Sequence, residues 1–429
     1  MSSGIIQDLV NFCQKFTLSN QSFIYSTNGV IVKLATSLVL VLSIFLSPLA
    51  FANKAPTVLI SIDGFSQEQF ELLSPKHLTA IKNKGLSSNA LLPVFPTKTF
   101  PNHISIVTGK SPLEHGIIHN GFYSRKRNNR YRMGKTKEDP SWLLAKPLWV
   151  LAEEQGVTSA TYFWPTSDAN LFNTRPSYYE EYDGSHTNRQ RLMQVIDWLK
   201  LPQAKRPQFI TSYFSVVDSA NHDHGIASDE AKAAVAELDQ LMGEFLTILD
   251  KEGIEINLVI VSDHGMATIK KKLLQPKVIP RSLAKQAVIV NGQTQLYVYS
   301  DNKELLATSV KTINKKAKGE YRAYLAGNYP NHWHFTPTNQ AQADVLPDLI
   351  VNAAPGVIFT EKKHQSAATH GYDLADTKQM EAVFFASGPN IKAGTMAAFE
   401  NIHVFGFIAE LIGVNTTADK HQVNEFIVD

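Results

Sequence analysis

The chain reads as an α/β protein with a mostly parallel central sheet flanked by helices. Two observations predict this. Five apolar runs, 57–62, 158–164, 209–217, 256–262 and 382–386, are continuous rather than alternating. Strands buried on both faces read this way. Segments with helical spacing lie between them, including 187–200 "TNRQRLMQVIDWLK" and 228–251 "SDEAKAAVAELDQLMGEFLTILDK". Strands alternating with helices imply a parallel sheet.

Each element follows from local chemistry. "TVLISI" (57–62) opens the sheet. Ser228, followed by Asp229 and Glu230, is a helix start, because its hydroxyl caps free N–H groups and the acids suit the positive helix end. "QAVIVNGQTQLYVY" reads as a hairpin turning at its glycine. It belongs to a less regular stretch, 272–346, taken as a smaller lobe inserted into the main domain of 53–429. The basic run at 125–136 reads as a solvated loop.

Of the 429 residues, 44% are hydrophobic, enough for a large core. Net charge is +2 with acids and bases interspersed. That excludes a basic nucleic-acid stripe and an acidic tail, so no stable nucleic-acid complex is expected.

"LATSLVLVLSIFLSPLAFANKAP" has an apolar core from Leu34 to Leu46, preceded by Lys33. Pro48 breaks it, and Ala50-Phe51-Ala52 is an A-x-A cleavage site. Residues 1–52 therefore read as a signal peptide cut after Ala52. The core is short for a membrane span, so no span is expected after cleavage. The 28 residues before Gly29 are atypical of an n-region, consistent with translation starting near Val30 or Val32. The only cysteine, Cys13, lies in this leader. The mature chain thus has no disulfide, thiolate nucleophile or cysteine-ligated metal. An exported protein, periplasmic or secreted, fits.

The ends of the apolar runs carry the chemistry. "VLISIDGF" ends on Asp63, "YFSVVDSANH" on Asp218, and "LVIVSDHGM" on Asp263 and His264. Ligands bind at the carboxyl ends of parallel strands, so three strands deliver carboxylates to one edge. His222 follows Asp218 by four residues, one helical turn. His370 sits in "ATHGYD", where Gly371 permits close backbone approach. Asp218, His222 and His370 form an N/O set suited to zinc, and Asp63, Asp263 and His264 could form a second. A single histidine would be unremarkable; the grouping carries the inference. Paired metals stabilise attacking and leaving oxygens in displacement at phosphorus. In "FPTKTFPNH", Pro96 and Pro101 stiffen the chain around Thr99. A threonine held there is placed as a nucleophile.

As an ordered set these stretches resemble the nucleotide pyrophosphatase/phosphodiesterase family of the alkaline phosphatase superfamily. The resemblance spans nearly all of the mature chain. It rests on "ISIDGF", "FPTKTFPNH", "IVTGKSPLEHGIIHN", "FWPTSD", "RPSYYEEYD", "YFSVVDSANHDHG", "VSDHGM", "THGYD" and "FEN". It implies two zinc ions, one on Asp218, His222 and His370, the other on Asp63, Asp263, His264 and the nucleophile Thr99. It implies that Asn120 and the Thr99 backbone N–H bind a phosphate oxygen. Phe100 and Tyr182 would sandwich a nucleobase, and Tyr213 would lie near the phosphate. Asn120 is neutral, which favours a singly charged diester. The implied activity is hydrolysis of nucleotide phosphodiester or pyrophosphate bonds through a phosphothreonine, releasing nucleoside 5′-monophosphates. A phosphomonoesterase, a phosphonate hydrolase, a lipid-headgroup phosphodiesterase and a silent nucleotide-binding protein remain open. Three positions depart from the family pattern: Thr166 replaces a glycine, and Val217 and Ile226 replace prolines. They bear on the pocket wall rather than the metals.

Overall fold

The computed structural model describes residues 54–361 and 366–428; the expected leader lies outside them. Eight strands form the main sheet: β1 (Thr57–Ile62), β2 (Leu86–Ser88), β3 (Ser159–Tyr162), β4 (Tyr178–Glu180), β5 (Phe209–Phe214), β6 (Asn257–Val261), β7 (Phe384–Ser387) and β8 (Gly394–Met396). Their spatial order is β8-β2-β7-β6-β1-β5-β3-β4. β1 is central and pairs in parallel with β5 and β6, with Ser61 opposite both Tyr213 and Val261.

Both faces of β1 are buried, which explains its unbroken apolar run. Leu59 joins one core cluster, with Ile104 and Val107 of α1 (Thr99–Thr108). Val58, Ile60 and Ile62 join the other. There they meet Leu192 and Val195 of α2 (Asn188–Leu199). Val235 and Leu238 of α4 (Asp229–Lys251) complete that side. The short helix α3 (Val216–His224) lies between β5 and α4. The expected caps are present. Ser228 Oγ accepts from Ala231 N–H at 3.0 Å, and Thr187 and Gln190 form a reciprocal box at the start of α2.

Several expectations change. The run 209–217 is not one strand, because β5 stops at Phe214 and α3 starts at Val216. Val217 is apolar because it is buried on a helix. β7 is antiparallel to β6 and β2. An apolar run carries no direction, so the pattern could not reveal this. The basic run 125–136 is structured rather than a solvated loop. Gly121–Ser124 pairs with Asn129–Arg132, Arg125 bonds Asp348, and the Arg127 guanidinium lies 4.3 Å from the centre of the Trp142 ring.

A second, antiparallel sheet orders strands Val288–Asn291, Gln295–Tyr299, Leu349–Ala353 and Tyr321–Leu325. It has its own core around Leu296, Val298 and Val351. The turn between its first two strands does not use Gly292 for handedness, since Gln293 takes the positive φ of 68°. Gly292 is instead a packing requirement: a Cβ there would lie 2.3 Å from the His119 ring.

The helix Lys76–Lys84 begins at Pro75 with no side-chain cap of its own. Asp239 of α4 supplies one, its Oδ1 accepting from His77 and Leu78 N–H at 2.8 and 2.9 Å. Asp239→Ala leaves these donors without a partner and is expected to cost about 1–2 kcal/mol. The check is a lower midpoint of denaturant unfolding, with Asp239→Asn less affected.

Candidate functional site

The parallel register of β6, β1 and β5 brings their carboxyl ends side by side. Asp63 follows β1, Asp263 follows β6, and Asp218 sits in the first turn of α3 just after β5. His222 lies one turn further along α3, its Nε2 3.4 Å from Asp218 Oδ1. His264 Nε2 is 3.0 Å from Asp263 Oδ2 and 3.5 Å from Asp63 Oδ1. His370 Nε2 is 4.0 Å from Asp218 Oδ1. Ligand atoms of Asp63, Asp263 and His264 all lie within 4.8 Å of one another, and so do those of Asp218, His264 and His370. His264 thus reaches both groups, a bridging placement that spacing alone did not suggest.

The donor chemistry fits cations. Each histidine turns Nδ1 to a backbone carbonyl: His222 to Ala368 at 2.8 Å, His264 to Gly265 at 3.0 Å, His370 to Thr97 at 2.9 Å. A carbonyl only accepts, so Nδ1 carries a proton and Nε2 is the nitrogen turned toward the carboxylates. Asp63 Oδ1, Asp218 Oδ1 and Asp263 Oδ2 are buried and have no hydrogen-bond partner. Orphaned carboxylate oxygens in such a place are costly unless a cation meets them. Burial holds the Asp63 carboxyl well above its ordinary range, and the charges of Asp263 and Asp218 push it further. Burial also raises Asp218. For Asp263 burial acts the same way, but His264 and His103 outweigh it and hold the group well below the usual carboxylate range. Burial, reinforced by His264, keeps His370 neutral.

Thr99 is the first residue of α1. The stretch stiffened by the two prolines thus opens a helix. Pro101 lies inside the first helical turn, where a missing N–H costs nothing. Thr99 Oγ1 is 3.3 Å from His264 Nε2. Asn120 Oδ1 accepts from Phe100 N–H at 2.9 Å, leaving Nδ2 as its donor. Thr99, Phe100, Asn120, Tyr182, Tyr213, Asp218, His222 and His370 line one cavity of about 480 Å³. Tyr182 is 59% exposed at its mouth, its ring 5.2 Å from that of Phe163. The Tyr213 hydroxyl donates to Asp63 Oδ2 at 2.5 Å, so it orients a carboxylate.

Two participants were missed from sequence. Nδ1 of buried His103 faces both Thr99 O at 2.9 Å and Asp263 Oδ2 at 3.2 Å, while its Nε2 meets the Ser61 hydroxyl at 2.8 Å. Lys98 is buried beside Thr99, and its Nζ donates to His370 O at 2.6 Å. Burial brings its pKa down to about 7. Both sit inside "FPTKTFPNH"; adjacency to Thr99 was the only available signal. Gly371, at φ 112°, makes room for this lysine. A Cβ there would lie 2.4 Å from Lys98 Cε and 2.3 Å from Thr294 Oγ1.

One wall of the cavity is the turn Trp164–Ser167, closed by Ser167 N–H to Trp164 O at 3.0 Å. Pro165 occupies its second position and Thr166 its third, with φ 74°. That is the pattern of a type II turn, whose third residue is normally glycine or asparagine. A β-branched residue there stores about 1–3 kcal/mol of strain.

Strand-end carboxylates, imidazoles and a helix-initial threonine converge beside one cavity of an α/β protein, a donor set suited to cations. The comparisons agree with that class. The model for "Type I phosphodiesterase / nucleotide pyrophosphatase" matches residues 57–373. Mouse ectonucleotide pyrophosphatase/phosphodiesterase family member 1 is 34% identical over 379 residues, covering 84% of this chain and 41% of that one. A venom phosphodiesterase of Naja atra is 32% identical, covering 84% of this chain and 44% of its own length. The structure of murine ectonucleotide pyrophosphatase/phosphodiesterase 5, an inactive form in complex with AMP, superposes with TM-score 0.78 at 21% identity, covering 87% of this chain and all of that one. The chain belongs to the type I phosphodiesterase/nucleotide pyrophosphatase family. It spans about two fifths of the length of the curated relatives it matches.

Gly371→Ala is expected to displace Lys98 and the His370 backbone together. The measurement is bound-metal content of the purified variant, expected to fall well below the parent, alongside a lower unfolding midpoint. Tyr213→Phe frees one Asp63 oxygen, and affinity for a divalent cation is expected to drop about ten-fold or more.

Proposed function

We propose that the chain is a zinc-dependent phosphodiesterase and nucleotide pyrophosphatase that releases nucleoside 5′-monophosphates, with Thr99 as nucleophile. The carrying observation is the convergence, beside one cavity, of three orphaned carboxylate oxygens, imidazole nitrogens and Thr99 Oγ1. The names of the matched relatives, and AMP in the murine structure, support the nucleotide assignment.

Asp218, His222 and His370 would hold one zinc ion, and Asp63, Asp263, His264 and Thr99 the other. When bound, they supply Lewis acidity at the attacking and leaving oxygens and offset the three carboxylates. Thr99 Oγ1, its proton lost to solvent, attacks phosphorus in line. The Oγ1–P bond forms as the bond to the departing alcohol or phosphate breaks. Water then attacks the phosphothreonine, the Oγ1–P bond breaks, and a proton returns to Thr99. Two inversions leave configuration at phosphorus retained.

The remaining residues bind and orient. The Thr99 N–H lies at a helix start, where backbone donors and the dipole favour a phosphate oxygen. Asn120 Nδ2 is aimed by the bond that Oδ1 receives from Phe100 N–H. Being neutral, Asn120 suits the single charge of a diester. Phe100 and Tyr182 flank the nucleoside, and stacking tolerates any base. The leader read from 1–52 makes the protein exported, periplasmic or secreted. Among the described residues no helix is long and apolar enough to cross a membrane.

The test is paired hydrolysis of bis-p-nitrophenyl phosphate and p-nitrophenyl phosphate with zinc added. The diester is expected to be strongly preferred, and Thr99→Ala to lower its turnover about a thousand-fold or more. Chelation should abolish activity and zinc should restore it. Preference for the monoester would overturn the reading in favour of a phosphatase. Zinc and AMP binding without turnover of either ester would favour a binding protein.

A further inference from the structure

Arg191, near the start of α2, is a buried cation that the chemistry of Thr99 does not use. It is only 4% exposed. Buried arginines are normally matched by carboxylates. Arg125, Arg127 and Arg189 each pair with one. Arg191 pairs with none among the described residues. Its guanidinium instead donates to two backbone carbonyls. Nη1 reaches Tyr213 O at 2.9 Å, while Nε and Nη2 reach His186 O at 3.3 and 3.2 Å.

The two carbonyls belong to different parts of the cavity wall. Tyr213 lies at the carboxyl end of β5. His186 closes the loop after β4 that carries Tyr182, its N–H donating to Asp183 O at 3.2 Å. The guanidinium also lies 5.0 Å from the centre of the Phe163 ring, within cation–π range. Phe163 lines the cavity, and its ring meets those of Tyr182 at 5.2 Å and His186 at 5.5 Å. Phe163 is left-handed at φ 62°, which a bulky residue keeps only where its surroundings enforce it. The Tyr182 side chain has no hydrogen bond among the described residues, so its place depends on the ring and loop beneath it. One cation therefore holds the sheet end, the loop and the ring that together support Tyr182.

We propose that Arg191 is a positioning residue, which pins the 182–186 loop to the end of β5 and, through Phe163, holds the Tyr182 ring ready for the nucleoside between it and Phe100. A loop already fixed in its bound arrangement loses less freedom when the ligand arrives. Arginine suits the task, because its planar fork reaches two carbonyls and a ring at once, whereas lysine offers a single ammonium. The inference rests on the nucleotide reading above.

The experiment compares the parent with Arg191→Met, Arg191→Lys, Tyr182→Ala and the double variant Arg191→Met/Tyr182→Ala, all zinc-loaded. Two diesters share p-nitrophenolate as leaving group: the p-nitrophenyl ester of thymidine 5′-monophosphate, and methyl p-nitrophenyl phosphate, which has no nucleoside. One readout is the ratio of kcat/KM for the first to that for the second. The other is AMP affinity by calorimetry, which requires no turnover. Arg191→Met should lower the ratio about three- to ten-fold, through KM, and weaken AMP by a similar factor. Turnover of the methyl ester and zinc content should stay parental. Arg191→Lys should recover only part of the loss. In the Tyr182→Ala background, Arg191→Met should lower neither quantity further, because the ring it positions is gone. A merely structural arginine would show no such coupling, whatever its effect on the unfolding midpoint. If Arg191→Met does not fold, Arg191→Lys carries the same comparison with Tyr182→Ala. Parental ratio and AMP affinity in the Arg191 variants would overturn the proposal. Equal loss of both esters, or full additivity in the double variant, would also overturn it. A parent with no preference for the nucleotidyl ester and no AMP affinity would overturn it while leaving diester hydrolysis standing. A parent that binds AMP without turning over either ester sinks the enzymatic reading alone, and the AMP arm then decides Arg191.

Discussion

Three carboxylates share one buried cluster, and much of the surrounding structure is arranged to tolerate them. Like charges a few ångströms apart repel strongly once water is excluded. The protein offers only partial relief. Gly64 N–H donates to Asp263 Oδ1, and the Tyr213 hydroxyl to Asp63 Oδ2. His103 and His264 flank Asp263, and Lys98 is buried nearby. One oxygen on each aspartate still lacks a partner. Such a cluster is tolerable as a receptor for cations and expensive as anything else. Loading and stability are therefore coupled, since a cation that binds the folded site but not the unfolded chain stabilises the fold.

Topology explains why the cluster exists at all. β6, β1 and β5 are adjacent and parallel, so their carboxyl ends lie side by side at strand spacing. One residue just past each strand end then suffices to bring three acids together from positions 63, 218 and 263. The antiparallel β7 does not disturb this edge. The chain just before it contributes His370 through the short ladder Ala368–Thr369 with Ala267–Thr268. The His370 backbone is clamped by Lys98 Nζ, and its ring by the Thr97 carbonyl. A segment 273 residues from Thr97 is thus locked to the chain that leads into Thr99.

This logic also marks what could be read from the sequence. β1, β5 and β6 were legible because burial on both faces leaves an unbroken apolar run, and Asp63, Asp218 and Asp263 were legible because they end those runs. α2 and α4 were legible from period and caps. The direction of β7 was not, since apolarity has no polarity along the chain. Nor were β2, β4 and β8, which are three residues each and too short for a period. Pro101 read only as stiffening the chain beside Thr99, and its place in the first turn of a helix did not show. His103 and Lys98 were passed over because their partners are largely backbone carbonyls and a hydroxyl distant in sequence. Spacing records side chains, whereas these bonds depend on where the backbone returns. Thr166 was noticed as a departure, but its meaning required the sign of φ.

The site divides into two parts with different physical characters. The end that carries Thr99 is closely tied by hydrogen bonds. Thr99 and Phe100 begin a helix, Asn120 is tied to that helix, and every candidate ligand follows a buried strand or bonds a buried carbonyl. Substitutions there are expected to disturb charge balance and chemistry together. The other end is built on a turn, Trp164–Ser167, closed by Ser167 N–H to Trp164 O, and on the exposed ring of Tyr182. A wall of that kind can change its polar groups without moving the cluster. The carboxylate edge therefore fixes the charge of the site, and the turn beside it can vary without moving that edge. In this chain that freedom has placed a threonine where the backbone alone would call for glycine.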